Sequence, residues 1–116
     1  MNQPDLICIR HMIDAAEEIA SFIKGKTIEN LIQSRQLTLS LLKLVEIIGE
    51  AASRVSKDAQ LQNDQIPWTE IIGMRNRLIH VYFDIDIERV WDTVQLDIPE
   101  LALKLKNLLK SGSKPH

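Results

Sequence analysis

Apolar residues recur at three- and four-residue intervals along most of this chain, the signature of amphipathic helices. In "LICIRHMIDAAEEIASFIKG", Ile9, Met12, Ile13, Ala16 and Ile19 share one stripe. Asp5 is expected to cap its start and Gly25 to end it. Thr27 is expected to cap a short helix, "IENLIQS". Asn30 then stands where an acidic residue or glutamine would complete a capping box, so the box is expected to be incomplete. The longest element is "SRQLTLSLLKLVEIIGEAASRVSKDAQ", with Leu37, Leu41, Leu44, Ile48, Ala51 and Val55 along its stripe. Leu42, Val45 and Ala52 widen that surface, which predicts burial on more than one side.

Beyond the polar loop "LQNDQIP", Pro67 suits the first turn of a helix "PWTEIIGMRNRLIH". The next segment, "VYFDIDI", alternates apolar and polar residues with period two, but no other segment could pair with it as a strand. It reads as a connector in which Asp84 or Asp86 caps "IERVWDTVQLD". Pro99 starts or kinks the last helical segment, "PELALKLKNLLK". The pattern predicts an all-α bundle of about five helices, with one domain over residues 1–110 and a loose tail over 111–116.

Composition narrows the function classes. The chain has 116 residues, 45% hydrophobic and 26% charged, with a formal net charge of −2. A polyanionic partner must therefore meet a local basic patch, not bulk charge. The single Cys8 has no internal disulfide partner and lies in an apolar-periodic stretch, as a buried thiol in a reducing cytoplasm would. The start, "MNQPDLICIR", lacks a basic run followed by an apolar one, and no apolar stretch approaches the ~20 residues that span a bilayer. A cytoplasmic protein is expected. His11, His80 and His116 are far apart along the chain, so no metal site is expected.

The densest chemistry lies in "GMRNRLIHVY", residues 73–82. On an ideal helix, Ile71, Met74, Leu78 and Val81 form a core stripe, while Thr69, Gly73, Asn76, Arg77 and His80 lie opposite. Gly73 costs about 1 kcal/mol relative to alanine inside a helix, but leaves room for a backbone or a phosphate. Asn76, four residues before His80, could orient the imidazole. Arg75 sits about 140° round the helix from His80. The two converge only if the helix ends near His80, if the arginine wraps round, or if two chains share the site. Residue types alone fit both a solvated helix face and an anion site served by guanidinium and imidazole.

"RNRLIHVY" has the R-x4-H-x-Y form, Arg75, His80 and Tyr82, and so resembles the motif of HEPN-domain ribonucleases. "LVEIIGEAASRVS" and "PWTEIIGMRNRLIHVYFDID" extend the likeness to the HepT toxin branch across most of residues 40–92. The resemblance implies an all-α HEPN-type bundle, a homodimer, and metal-independent cleavage of RNA, tRNA or mRNA, at a cleft shared by both chains. It implies Arg75 and His80 as catalytic residues, with no cofactor and no DNA or membrane partner. Asn76 would support them and Arg77 would contact RNA phosphate. It further implies a type VII toxin–antitoxin pair, in which an MntA-like nucleotidyltransferase transfers AMP from ATP to Tyr82. The alternatives are a non-catalytic helical subunit that serves a minimal nucleotidyltransferase, or a structural dimer.

Other residues carry plainer readings. Glu46, Glu50 and Arg54 recur every four residues, as an ion-paired helix face, a carboxylate metal site or a border of the cleft. Trp68 and Trp91 read as core or interface anchors. His11 reads as structural or surface. Tyr82 has a second reading, as a half-buried aromatic closing a helix end.

Overall fold

A computed structural model describes residues 1–112, and the part of the expected tail at 113–116 lies outside them. Three long helices dominate: α1 (Gln3–Ile23), α3 (Arg35–Arg54) and α8 (Ile98–Gly112). Between them run α2 (Ile28–Gln33), α4 (Lys57–Gln62), α5 (Trp68–Ile72), α6 (Met74–Arg77) and α7 (Ile87–Asp92). The all-α class is as the periodicity requires. The helical segments outnumber the expected five because several predicted elements are broken.

Helix α3 is the centre, packing against α1, α2, α5, α6 and α7. Its Leu41, Leu42, Leu44, Val45, Ile48, Ala51 and Ala52 are all buried, which is the broad apolar face the sequence called for. The stripe of α1 meets it through Ile9, Met12, Ile13, Ala16 and Ile19, all buried as well. Burying each large aliphatic side chain contributes about 1.5–3 kcal/mol. Trp68 is buried and donates its indole N–H to the Asn63 carbonyl at 3.0 Å. Trp91 packs partly buried against the core, as does Cys8, which is less enclosed than its apolar stretch suggested. His11 is exposed.

Local expectations fail where distant groups compete for the backbone. Asn2, not Asp5, caps α1, accepting from the Asp5 amide at 2.8 Å. Asp5 is buried at 3% exposure and reaches across 51 residues of sequence, accepting from the Ser56 amide at 2.8 Å and the Ser56 hydroxyl at 2.7 Å. Val55 is extended there, so the predicted long helix stops at Arg54. Ser56 then caps α4, its hydroxyl accepting from the Ala59 amide at 3.2 Å. At Thr27 the capping box closes after all, because the Asn30 amide oxygen accepts from the Thr27 amide at 2.8 Å. Pro99 stands in the first turn of α8, next to its first residue Ile98, as expected for the start of the last helix. A π turn over Thr93–Asp97 joins α7 to α8, with the Ile98 amide donating to the Thr93 carbonyl. That wider turn accommodates the proline's missing donor without breaking the helix. Helix α8 continues to Gly112, past the expected boundary at 110.

Gly49 sets the approach of α5 to α3. A Cβ built there lies 3.2 Å from the Ile71 carbonyl oxygen and 3.4 Å from that of Ile72. Those atoms are helix backbone and yield little.

Three substitutions test these contacts by chemical denaturation. Asp5→Ala strands the Ser56 donors and is expected to cost about 1–3 kcal/mol of stability. Gly49→Ala is expected to stay near break-even, its helix gain of about 1 kcal/mol offset by the tight contact. Gly49→Val is expected to lose about 1–3 kcal/mol by overpacking and to shift amide resonances along α5 and α6.

Candidate functional site

The helix predicted to run through His80 does not. Gly73 ends α5 and Arg77 ends α6, with Leu78 as its cap. The chain then folds back in a small loop. The His80 amide donates to the Asp84 carbonyl at 2.7 Å and the Asp86 amide to the Leu78 carbonyl at 2.9 Å. Ile79 and Ile85 form an isolated antiparallel bridge. The period-two alternation of "VYFDIDI" thus does find an extended partner, two residues upstream of itself. Asp86 then caps α7, accepting from the Arg89 amide at 3.1 Å.

This loop redistributes the predicted core stripe. Ile71 and Leu78 are buried and Met74 packs partly buried against the core, but Val81 is 75% exposed. The helix is interrupted at Leu78, and Val81 begins a separate 3-10 turn, Val81–Phe83, out of register with it. Tyr82, at the tip, has φ 58° and ψ 38°, the left-handed region, and is 98% exposed. The half-buried aromatic reading of Tyr82 is therefore corrected. Its backbone conformation costs a non-glycine residue about 1–2 kcal/mol.

The motif residues face different neighbours. Arg75 places Nε 3.6 Å from the Glu46 carboxylate on α3, with both side chains about one-third exposed. Glu46 also pairs with Lys43 at 3.2 Å. The predicted alternation of Glu46, Glu50 and Arg54 therefore does not close on itself: Glu46 turns to Lys43 and Arg75, and Glu50 and Arg54 are exposed. Arg75 and Asn76 line a cleft of about 380 Å³ with Glu46, Glu50, Ser53 and Ile72. His80 presents Nε2 3.3 Å from Asp86 Oδ2, with the imidazole 56% and the carboxylate 29% exposed. Asn76 is exposed, and the imidazole's partner is Asp86 in its place. Arg77 lines a separate cleft of about 600 Å³ with Arg89 and Lys104, opposed by Asp64, Glu70, Asp97 and Glu100. Arg89 also donates to the Arg77 carbonyl at 3.3 Å.

A single chain thus presents the guanidinium and the imidazole from two elements, each against its own carboxylate. Imidazole is a residue type that transfers protons near neutral pH and guanidinium one that binds anions. Sequence reasoning placed Glu46 as a border of the cleft but missed the contact of Asp86 with His80. Asp86 was legible only as a cap, and the signal for its second role was the alternating segment that folds back onto His80. Glu46 lines the Arg75 cleft as its border reading expected, although its specific contact with Arg75 is tertiary and left no local signal. Among the described residues, no group of three or more His, Cys, Asp and Glu side chains could hold a metal ion. No described helix is long and apolar enough to cross a membrane.

Known proteins resemble this chain along most of its length. The family model described as ribonuclease HepT-like matches residues 12–108. A protein of Caldanaerobacter subterraneus subsp. tengcongensis named as a putative RNase is 33% identical over 102 residues, which is 88% of this chain and 91% of the relative. A protein of Thermococcus cleftensis named as a probable ribonuclease HepT is 33% identical over 102 residues, 88% of this chain and 93% of the relative. No solved structure matches. With a family model spanning nearly the whole bundle and relatives similar along almost their full length, the chain belongs to the HepT-like ribonuclease family.

Proposed function

We propose that this chain is the metal-independent endoribonuclease toxin of a type VII toxin–antitoxin pair, acting on RNA as a homodimer. The observation that carries the reading is the stop at Arg77. It lifts His80 off the helix and leaves its imidazole half-exposed on a closed loop, five residues from a partly exposed Arg75. Two copies would supply the convergence that one lacks. Ile72, 41% exposed beside Arg75, and Val81, 75% exposed beside His80, are apolar surface that a second copy would cover.

In the shared cleft His80 acts as general base, or as general acid toward the leaving oxygen. When the 2′-hydroxyl attacks, its oxygen bonds to phosphorus, its proton passes to the base, and the P–O5′ bond breaks. The products carry a 2′,3′-cyclic phosphate and a 5′-hydroxyl. Arg75 neutralises the charge developing on the phosphate, which requires its guanidinium to exchange Glu46 for substrate. Asn76 shares the Arg75 cleft and supports it, and Arg77 contacts flanking phosphate. An MntA-like nucleotidyltransferase silences the site by adding AMP to Tyr82. The solvent-facing phenol meets the access that such an enzyme needs. A bulky anion beside the cleft then opposes RNA by both charge and volume.

Purified wild-type protein is expected to cleave RNA, and Arg75→Ala and His80→Ala to lose at least about a hundredfold in rate with the fold retained by circular dichroism. Incubation with the nucleotidyltransferase and ATP is expected to add AMP to Tyr82, located by peptide mass spectrometry, and to abolish cleavage. Tyr82→Phe should keep cleavage and escape silencing. RNA left intact by the wild type would instead favour a binding subunit of the nucleotidyltransferase.

A further inference from the structure

We infer that Asp86 is a positioning residue for His80, holding the imidazole with its proton on Nε2 and leaving Nδ1 as the nitrogen that meets the RNA. The inference rests on the ribonuclease reading above and assigns to that site a residue outside the R-x4-H-x-Y motif.

The two oxygens of Asp86 are committed separately. Oδ1 accepts the Arg89 amide at the start of α7, and Oδ2 lies 3.3 Å from His80 Nε2. The cap fixes the carboxylate's orientation. The Asp86 amide bond to the Leu78 carbonyl and the His80 amide bond to the Asp84 carbonyl fix the backbone on both sides. The imidazole is therefore held across a closed loop by a carboxylate that cannot swing away without uncapping a helix. A carboxylate only accepts hydrogen bonds, so the nitrogen facing it carries the proton in the neutral ring. Among the described residues neither ring nitrogen has a hydrogen bond, and Nε2 is the one that faces Asp86, at 3.3 Å, so the Nδ1 lone pair is the one left for chemistry. In the cleavage step Nδ1 takes the 2′-hydroxyl proton as the 2′-oxygen bonds to phosphorus and the P–O5′ bond breaks. The 5′-oxygen leaves with a proton from solvent, and the imidazolium returns its own to solvent.

The capping bond makes the test sharp, because two substitutions keep the helix start and change only what His80 meets. Asparagine caps well, but the Arg89 amide demands its oxygen, so its NH₂ group faces His80 Nε2. Asp86→Asn should therefore move the proton to Nδ1. Serine also caps well but is too short to reach the imidazole, so Asp86→Ser should leave the tautomer mixed. Nitrogen-15 shifts of the His80 ring in the full chain report the tautomer, and circular dichroism with chemical denaturation reports the fold. We expect a predominantly Nε2–H ring in the wild type and an Nδ1–H ring in Asp86→Asn. RNA cleavage by Asp86→Asn should show kcat lower by on the order of a hundredfold with KM little changed. Asp86→Ser should fall by about tenfold or more. An Nε2–H ring or wild-type kcat in folded Asp86→Asn would overturn the assignment. Should the wild type itself leave RNA intact, the ribonuclease reading fails, while the ring shifts still decide whether Asp86 orients His80.

Discussion

Two backbone hydrogen bonds, from the His80 amide to the Asp84 carbonyl and from the Asp86 amide to the Leu78 carbonyl, determine the arrangement around the motif. Their amides could instead have joined helical ladders, and a helix running on past Arg77 would have kept Val81 in the core and His80 on the face of Asn76. Closing the loop gives up that register. In exchange, His80 sits opposite Asp86, Val81 turns outward, and α7 starts at a fixed place and angle. Each feature of the site follows from where the helix is made to stop.

The same stop settles a problem of charge. A chain with net charge −2 has no bulk attraction for a polyanion, so its cations must be presented selectively. Arg75 is held against Glu46 and Arg77 lies beside a cleft with both signs of charge. Partly exposed pairs of this kind contribute little to stability, about 0–1 kcal/mol. They are correspondingly cheap to exchange for a phosphate, which accepts paired guanidinium bonds as a carboxylate does. The Glu46 contact thus pairs Arg75 only weakly.

The apolar stripes of α1 and α3 were legible because burial imposes the helical period directly on residue choice. The Arg75–His80–Tyr82 motif was legible for another reason: its spacing matches a family pattern, whatever the local conformation. Helix breaks were not legible in the same way. The break at Val55 depends on Asp5, distant in sequence, whose carboxylate takes the Ser56 amide and hydroxyl. Pro99 marked the start of α8 correctly, but the π turn that joins it to α7 left no local signal. Asn30 closed a capping box expected to stay open because an amide oxygen can accept where a carboxylate usually does. The ideal-helix treatment of residues 69–82 failed for a related reason. Periodicity describes the continuation of an element, whereas the loop's own backbone bonds decided its end.

Tyr82 tests whether folding alone accounts for this loop. Its backbone occupies the left-handed region, where glycine would remove a strain of about 1–2 kcal/mol. Asparagine would also be better tolerated there. The side chain recovers none of that cost by burial, since it is 98% exposed. Propensity and packing therefore both argue against a tyrosine at this position, and the surrounding backbone bonds impose the conformation on it. Strain retained without a packing return is characteristic of groups kept for an interaction outside the folded chain. A phenol held at the loop tip, within two residues of the imidazole, is placed to be met by another molecule.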